Sequence, residues 1–106
     1  MRRGAVAEVG FTLGRFEPLV GSRFTLRLDA DGAVTELPAR LIEARAGRHD
    51  TPAGPQPFSL TFEAPPQPLL PQRIYRVEHP ELDAMDLFLV PVARSATGLQ
   101  YEAVFG

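Results

Sequence analysis

Cysteine is absent from the 106-residue sequence, and histidine occurs only twice, at His49 and His79. Without thiols the chain has no disulfide framework, no thiolate nucleophile and no cysteine zinc site, while its compartment stays open. Serine is present only at Ser22, Ser59 and Ser95, none of them in the glycine-flanked elbow that exposes an attacking hydroxyl. The glycines are scattered and none opens a helix, which argues against a phosphate-cradling loop. Long apolar runs are missing as well. The longest, Leu87 to Ala93, is far too short to span a bilayer, so no membrane protein is expected. A positive charge excess is also lacking: the net charge is −2, which provides no bulk attraction for nucleic acid. Lysine does not occur at all, and every basic side chain is an arginine, whose planar fork suits carboxylate contacts and protein interfaces.

What is present is ordinary globular composition, 44% hydrophobic and 23% charged, in a length that suits one domain and one core. Met1-Arg2-Arg3 is basic, but the following GAVAEVG is broken by Glu8 and lacks the apolar core of a signal peptide. The expectation is synthesis in the cytoplasm, with residues 1–10 a flexible arm and residues 11–106 a single β domain.

The turn punctuation and the best strand patterns lie between Gln56 and Val92. Phe58, Leu60 and Phe62 alternate with Ser59, Thr61 and Glu63, the period of a strand with one face on a core. Arg73 to His79 repeats this with Tyr75 and Val77, although Ile74 adds an apolar group to the second face. Met85 to Val92 is apolar on both parities, the pattern of a central strand covered on both sides.

Upstream, Phe11 to Gly21 contains Thr12, which can cap a single helical turn, and Pro18, which stops it. Phe11, Phe16 and Leu19 then share a side and plug one end of the core. Phe24 to Leu28 alternates, Asp29 to Gly32 turns the chain, and a strand returns over about Ala33 to Ala44. Pro38 puts that strand at a sheet edge or on a bulge, and the change of apolar parity between Leu41 and Ile42 favours the bulge. Arg45 to Pro57 reads as a loop, and Ser95 to Gly98 as a hairpin into a last strand with Leu99, Tyr101, Ala103 and Phe105 on one face. The fold class is therefore all-β, about six antiparallel strands in a small barrel or sandwich with one short N-terminal helical turn. The predicted core is Phe24, Leu26, Leu28, Leu41, Phe58, Leu60, Phe62, Tyr75, Val77, Leu87, Leu89, Tyr101 and Phe105.

With these segments in place the chain resembles an uncharacterised bacterial domain-of-unknown-function family. The matching pieces are FEPLVGSRF at Phe16 to Phe24, PFSLTFEAP at Pro57 to Pro65, PLLPQ at Pro68 to Gln72, YRVEHPEL at Tyr75 to Leu82, FLVPV at Phe88 to Val92 and YEAVF at Tyr101 to Phe105. The resemblance extends to a genomic setting beside phage-tail-collar-type proteins. It implies a small accessory or structural component, at work in a phage-tail-like particle, and transfers no catalytic residue.

Glu78, His79, Glu81, Asp83 and Asp86 form the densest titratable cluster. Glu78 and His79 alternate to opposite faces, and the fixed oxygen spacing of a hard-cation loop is missing, so a solvated turn held by Pro80 is expected there. Catalytic residues, cofactor and metal are accordingly all expected to be none. Arg23, Arg27, Arg73 and Arg76 form a candidate surface stripe that salt bridges to Glu63, Glu78 and Glu102 would neutralise. The best interaction candidate is the proline-rich crossover, with Pro66, Pro68, Leu69, Leu70, Pro71 and Gln72 as contact residues for another protein chain or a second copy of this one. The competing reading of the segment is a connection whose Leu69 caps the barrel. Three functions follow in order of preference: a non-enzymatic assembly module acting through protein contacts, a small-ligand-binding β-barrel, and an enzyme using the His79 turn.

Overall fold

Alternation in the sequence becomes inside and outside of a closed sheet. The computed structural model describes residues 12–30, 32–47 and 57–105, and its six antiparallel strands close into a barrel in the order β1-β2-β3-β6-β5-β4. The strands are β1 (Arg23–Ala30), β2 (Ala33–Ala46), β3 (Phe58–Ala64), β4 (Arg73–His79), β5 (Leu82–Ser95) and β6 (Gly98–Phe105). In β3 the pattern is complete: Phe58, Leu60, Phe62 and Ala64 are buried and the residues between them half-buried. Closure gives every strand a partner on both sides over at least part of its length.

The chain forms two three-stranded meanders with the same plan. Strands of 8, 14 and 7 residues make the first, and strands of 7, 14 and 8 residues make the second. Each 14-residue strand serves two neighbours in succession. β2 pairs with β1 up to Arg40 and with β3 from Arg40 onward, while β5 pairs with β4 up to Leu89 and with β6 from Val90 onward. Both long strands carry an irregularity in their second half, between Leu41 and Glu43 and between Pro91 and Ala93. An extra residue there bends the strand and raises its twist, which lets it turn a corner of the barrel. The bulge expected from the parity change in β2 is thus present, centred on Ile42 rather than Pro38. Pro38 itself pairs opposite Thr25, in a stretch of β2 that has β1 on one side and no ladder partner on the other among the described residues.

The tight hairpins follow their turn residues. Ala30 pairs with Ala33 across a two-residue loop in which Gly32 has φ +76°, a left-handed conformation that costs glycine little. Ser95 pairs with Gly98, and the Ser95 hydroxyl accepts from the backbone N–H of Thr97 and Gly98 at 3.3 and 3.1 Å. His79 pairs with Leu82, so β5 begins three residues before the apolar run that signals it in the sequence.

The interior is occupied by side chains, with Phe24, Leu26, Leu41, Leu60, Phe62, Tyr75, Val77, Leu89 and Tyr101 essentially inaccessible. Leu28 and Phe105, predicted as core, are only partly buried and pack against it. One end is closed by helix α1 (Leu13–Phe16) and the 3-10 turn Glu17–Leu19, which bury Phe16 and Leu19. The Phe16 ring lies 5.9 Å from Phe58 and 6.0 Å from Phe105, which stack on each other at 4.4 Å, so the plug is aromatic. Thr12 occupies the N-cap position, but its side chain makes no capping bond, and the helix starts instead on the Arg15 N–H to Thr12 carbonyl bond. Pro18 sits at the start of the 3-10 turn, where a missing N–H leaves no bond unmade.

The expected arm at residues 1–10, Phe11, and most of the loop between Arg45 and Pro57, including His49, lie outside the described residues.

Candidate functional site

The proline-rich crossover divides its two leucines. Leu70 is buried and its N–H donates to the Tyr101 hydroxyl at 3.0 Å, while the Tyr75 hydroxyl donates to the Pro71 carbonyl. Two core tyrosines thus fasten the segment to the barrel, and Leu70 caps the interior where Leu69 was the expected residue. The assignment of Leu70 as a contact residue is corrected on this ground: its backbone bond to Tyr101 turns it inward, and adjacent side chains cannot both follow. Pro66, Pro68, Leu69, Pro71 and Gln72 are exposed, Leu69 by 58%. The segment also bends at residues 66–68, with a cis Gln67–Pro68 peptide. Burial raises the pKa of the Tyr75 phenol above its ordinary value, and the neighbouring Tyr101 adds to the shift.

Next to this segment the outer face of the second meander is apolar. Ile74 on β4 and Phe88 on β5 are direct cross-strand partners and are 63% and 51% exposed. Val92 on the β5 bulge is exposed as well. The double apolar parity of β5 therefore does not mark a strand covered on both sides. One parity (Met85, Leu87, Leu89) fills the barrel, and the other is left outside.

His79 is not on a solvated turn. It continues the inward parity of Tyr75 and Val77, is buried, and lies with its ring 4.5 Å from Phe24. Its Nδ1 accepts from the Glu81 N–H at 3.0 Å, which leaves the hydrogen on Nε2 to donate to Ser22 Oγ at 3.1 Å. Ser22 in turn donates to the Leu19 carbonyl at 2.6 Å. Protons in this chain run from histidine to serine to carbonyl, the reverse of a base withdrawing a proton from a nucleophile. It clips β4 and the 79–82 turn to the end plug. Glu78 points outward, Glu81, Asp83 and Asp86 are exposed, and among the described residues no three His, Asp or Glu side chains are grouped to hold a metal ion.

The arginines do not find the partners the sequence suggested. Arg27 contacts Asp29 at 3.2 Å and Glu36 at 3.6 Å, and Arg45 contacts Glu43 at 2.8 Å. Neither Glu63, Glu78 nor Glu102 makes an ion pair among the described residues. Arg23 lies directly opposite Arg40 on the β1–β2 ladder, and Arg40 opposite Glu63 on β2–β3. With Gly21, Pro38 and Ala39 these three side chains line an open cleft of ≈ 180 Å³. The Glu63 carboxylate is turned to the β5–β6 hairpin, accepting from the Ser95 hydroxyl at 2.9 Å and the Thr97 hydroxyl at 3.3 Å. The sequence pattern singles out Arg23 but not Arg40, because the register that sets Arg40 opposite both Arg23 and Glu63 is decided by pairing between strands.

No helix among the described residues is long and apolar enough to cross a membrane. A family model described as "Domain of unknown function (DUF6916)" matches residues 11–105. No curated protein and no solved structure matches the chain.

Proposed function

We propose, for a chain that belongs to the DUF6916 family of domains of unknown function, a non-enzymatic assembly role exerted through contacts with another protein chain or a second copy of itself. The observation that carries this reading is the Ile74–Phe88 pair, two large apolar side chains side by side on the outside of a closed barrel. Burying each in an interface stabilises the complex by roughly 1.5 to 3 kcal/mol, and exposed apolar clusters on small domains mark contact sites. Leu69 is a further exposed apolar side chain, presented by a proline-restricted segment that would be ordered at low entropic cost. A component of a phage-tail-like particle is the setting in which such a module would act. The filled interior supports this reading over a ligand-carrying barrel. The proton order at His79 supports it over catalysis.

The experiment is analytical ultracentrifugation over a concentration series, with pull-down from the native host as a second arm. The wild type should associate with itself or retain a discrete partner. Ile74→Ser and Phe88→Ser should abolish that association while keeping the circular dichroism of a folded β protein. A wild type that is monomeric and whose captured partner persists in both variants contradicts the proposal.

A further inference from the structure

We infer that the cleft between Arg23 and Arg40 is a binding site for one oxyanion, a carboxylate or a phosphate group. Arg23 and Arg40 face each other across the β1–β2 ladder. Like charges directly opposite on an antiparallel ladder destabilise it, and the barrel contains two such outer-face pairs, Arg27↔Arg76 and Arg23↔Arg40. The first is relieved, because Arg27 is held between Asp29 and Glu36. The second is not: neither Arg23 nor Arg40 makes an ion pair among the described residues.

Glu63 sits opposite Arg40 and lines the same cleft, but its Oε2 takes hydrogen bonds from Ser95 and Thr97, and it makes no ion pair with either arginine among the described residues. The concavity is large enough for a few heavy atoms and open to solvent, and Gly21, Pro38 and Ala39 line it together with the three charged side chains. Two arginines lining one cleft offer donors to a single planar or tetrahedral anion, a ligand that the guanidinium fork suits. The site belongs to the first meander and does not depend on the apolar surface of the second, so either proposal can fail alone.

The test is an NMR titration of the full chain with inorganic phosphate and, separately, with acetate, chloride holding the ionic strength constant. Saturable shifts should appear at Gly21, Arg23, Ala39 and Arg40. Arg23→Gln and Arg40→Gln should each raise the phosphate dissociation constant by about tenfold or more, the loss of a charged hydrogen-bonded contact. Arg76→Gln removes the same charge from another strand and should leave the constant unchanged. Tighter binding of phosphate assigns a tetrahedral dianion as the occupant; equal or tighter binding of acetate assigns a carboxylate such as an acidic side chain carries. No response beyond that of chloride overturns the site, and so does an equal loss in Arg76→Gln, which would reduce the effect to net charge.

Discussion

The two meanders share strand lengths, corner bulges and hairpin direction, yet they present different outsides. On β1 and β2 the outer face carries Arg23, Arg27, Asp29, Glu36 and Arg40 with a single large apolar group, Val34, whereas that of β4 and β5 carries the Ile74–Phe88 pair next to Arg76 and Asp86. Inside, the two halves do the same work: Phe24, Leu26, Leu41 and Leu60 from one meet Tyr75, Val77, Leu89 and Tyr101 from the other. The inner faces must fit each other and are held by packing, while the outer faces answer only to what they touch in solution. A difference confined to the outside therefore points to function, which is why both proposals stand there.

Equivalence of the two inner faces gives the largest expected effect. Leu60 on β3 and Leu89 on β5 are both fully buried. Replacement of either by alanine should cost about 2 to 5 kcal/mol by lost transfer energy plus the cavity left behind, read from urea denaturation. A loss below about half a kcal/mol in either half, the size of an ordinary surface change, would show that the two inner faces do not carry the core equally.

A smaller but sharper effect is expected where the meanders are joined along β3 and β6. A Cβ on Gly98 would stand 2.3 Å from the Ala64 carbonyl oxygen, and that oxygen is backbone and cannot swing aside. Gly98→Ala should cost about 1 to 3 kcal/mol as an overpacking strain, with Gly14→Ala, which meets nothing within 4 Å, as the tolerated counterpart. Equal denaturation midpoints for the two variants would show that the seam is loose.

How far the sequence reveals this architecture depends on the range of the interaction that decides each feature. Alternation in Phe58 to Glu63 and the Ser95–Gly98 hairpin are local, and both read correctly. The bulge in β2 is legible because a parity change is itself local, though it falls at Ile42 rather than at Pro38. His79 is misread as solvated because its burial is decided by Ser22, 57 residues away, and by the Phe24 ring. Leu69 and Leu70 cannot be told apart until Tyr101 supplies the hydroxyl that turns one of them in. In β5 the two apolar parities establish a strand, but periodicity carries no information on whether anything covers the outer one.

The outer face of the second meander separates stability from association. Phe88→Ser removes a ring that is half exposed and paired with Ile74, so the monomer should lose only about 1 kcal/mol of stability, while association is lost. Leu70→Ser is the inner counterpart and should destabilise by about 2 kcal/mol or more, since it places a hydroxyl in the core and empties a leucine site. If Phe88→Ser instead unfolds the barrel, the apolar outer face is structural and the contrast between the meanders loses its functional meaning.

The charged face of the first meander should give the smallest effect, and one of opposite sign. Arg40→Gln deletes one partner of the Arg23↔Arg40 pair without taking an ion pair from any described residue, so the variant should be more stable than the wild type in phosphate-free buffer. Relief of a directly opposed like-charge pair amounts to a few tenths of a kcal/mol on an exposed ladder, or a melting temperature about 1 to 3 °C higher for a domain of this size. Salt screens the repulsion, so the gain should shrink as sodium chloride is raised. Phosphate should reverse the order, stabilising the wild type by occupying the cleft and leaving the variant where it was, because a ligand raises the melting point only of the form that binds it. Arg27→Gln is the matched change at the relieved pair and should lower the melting temperature slightly, since Asp29 and Glu36 lose their partner. A melting temperature for Arg40→Gln below that of the wild type in chloride at every ionic strength would mean that Arg40 is already satisfied, and the charged face would then be no more than a solvated surface.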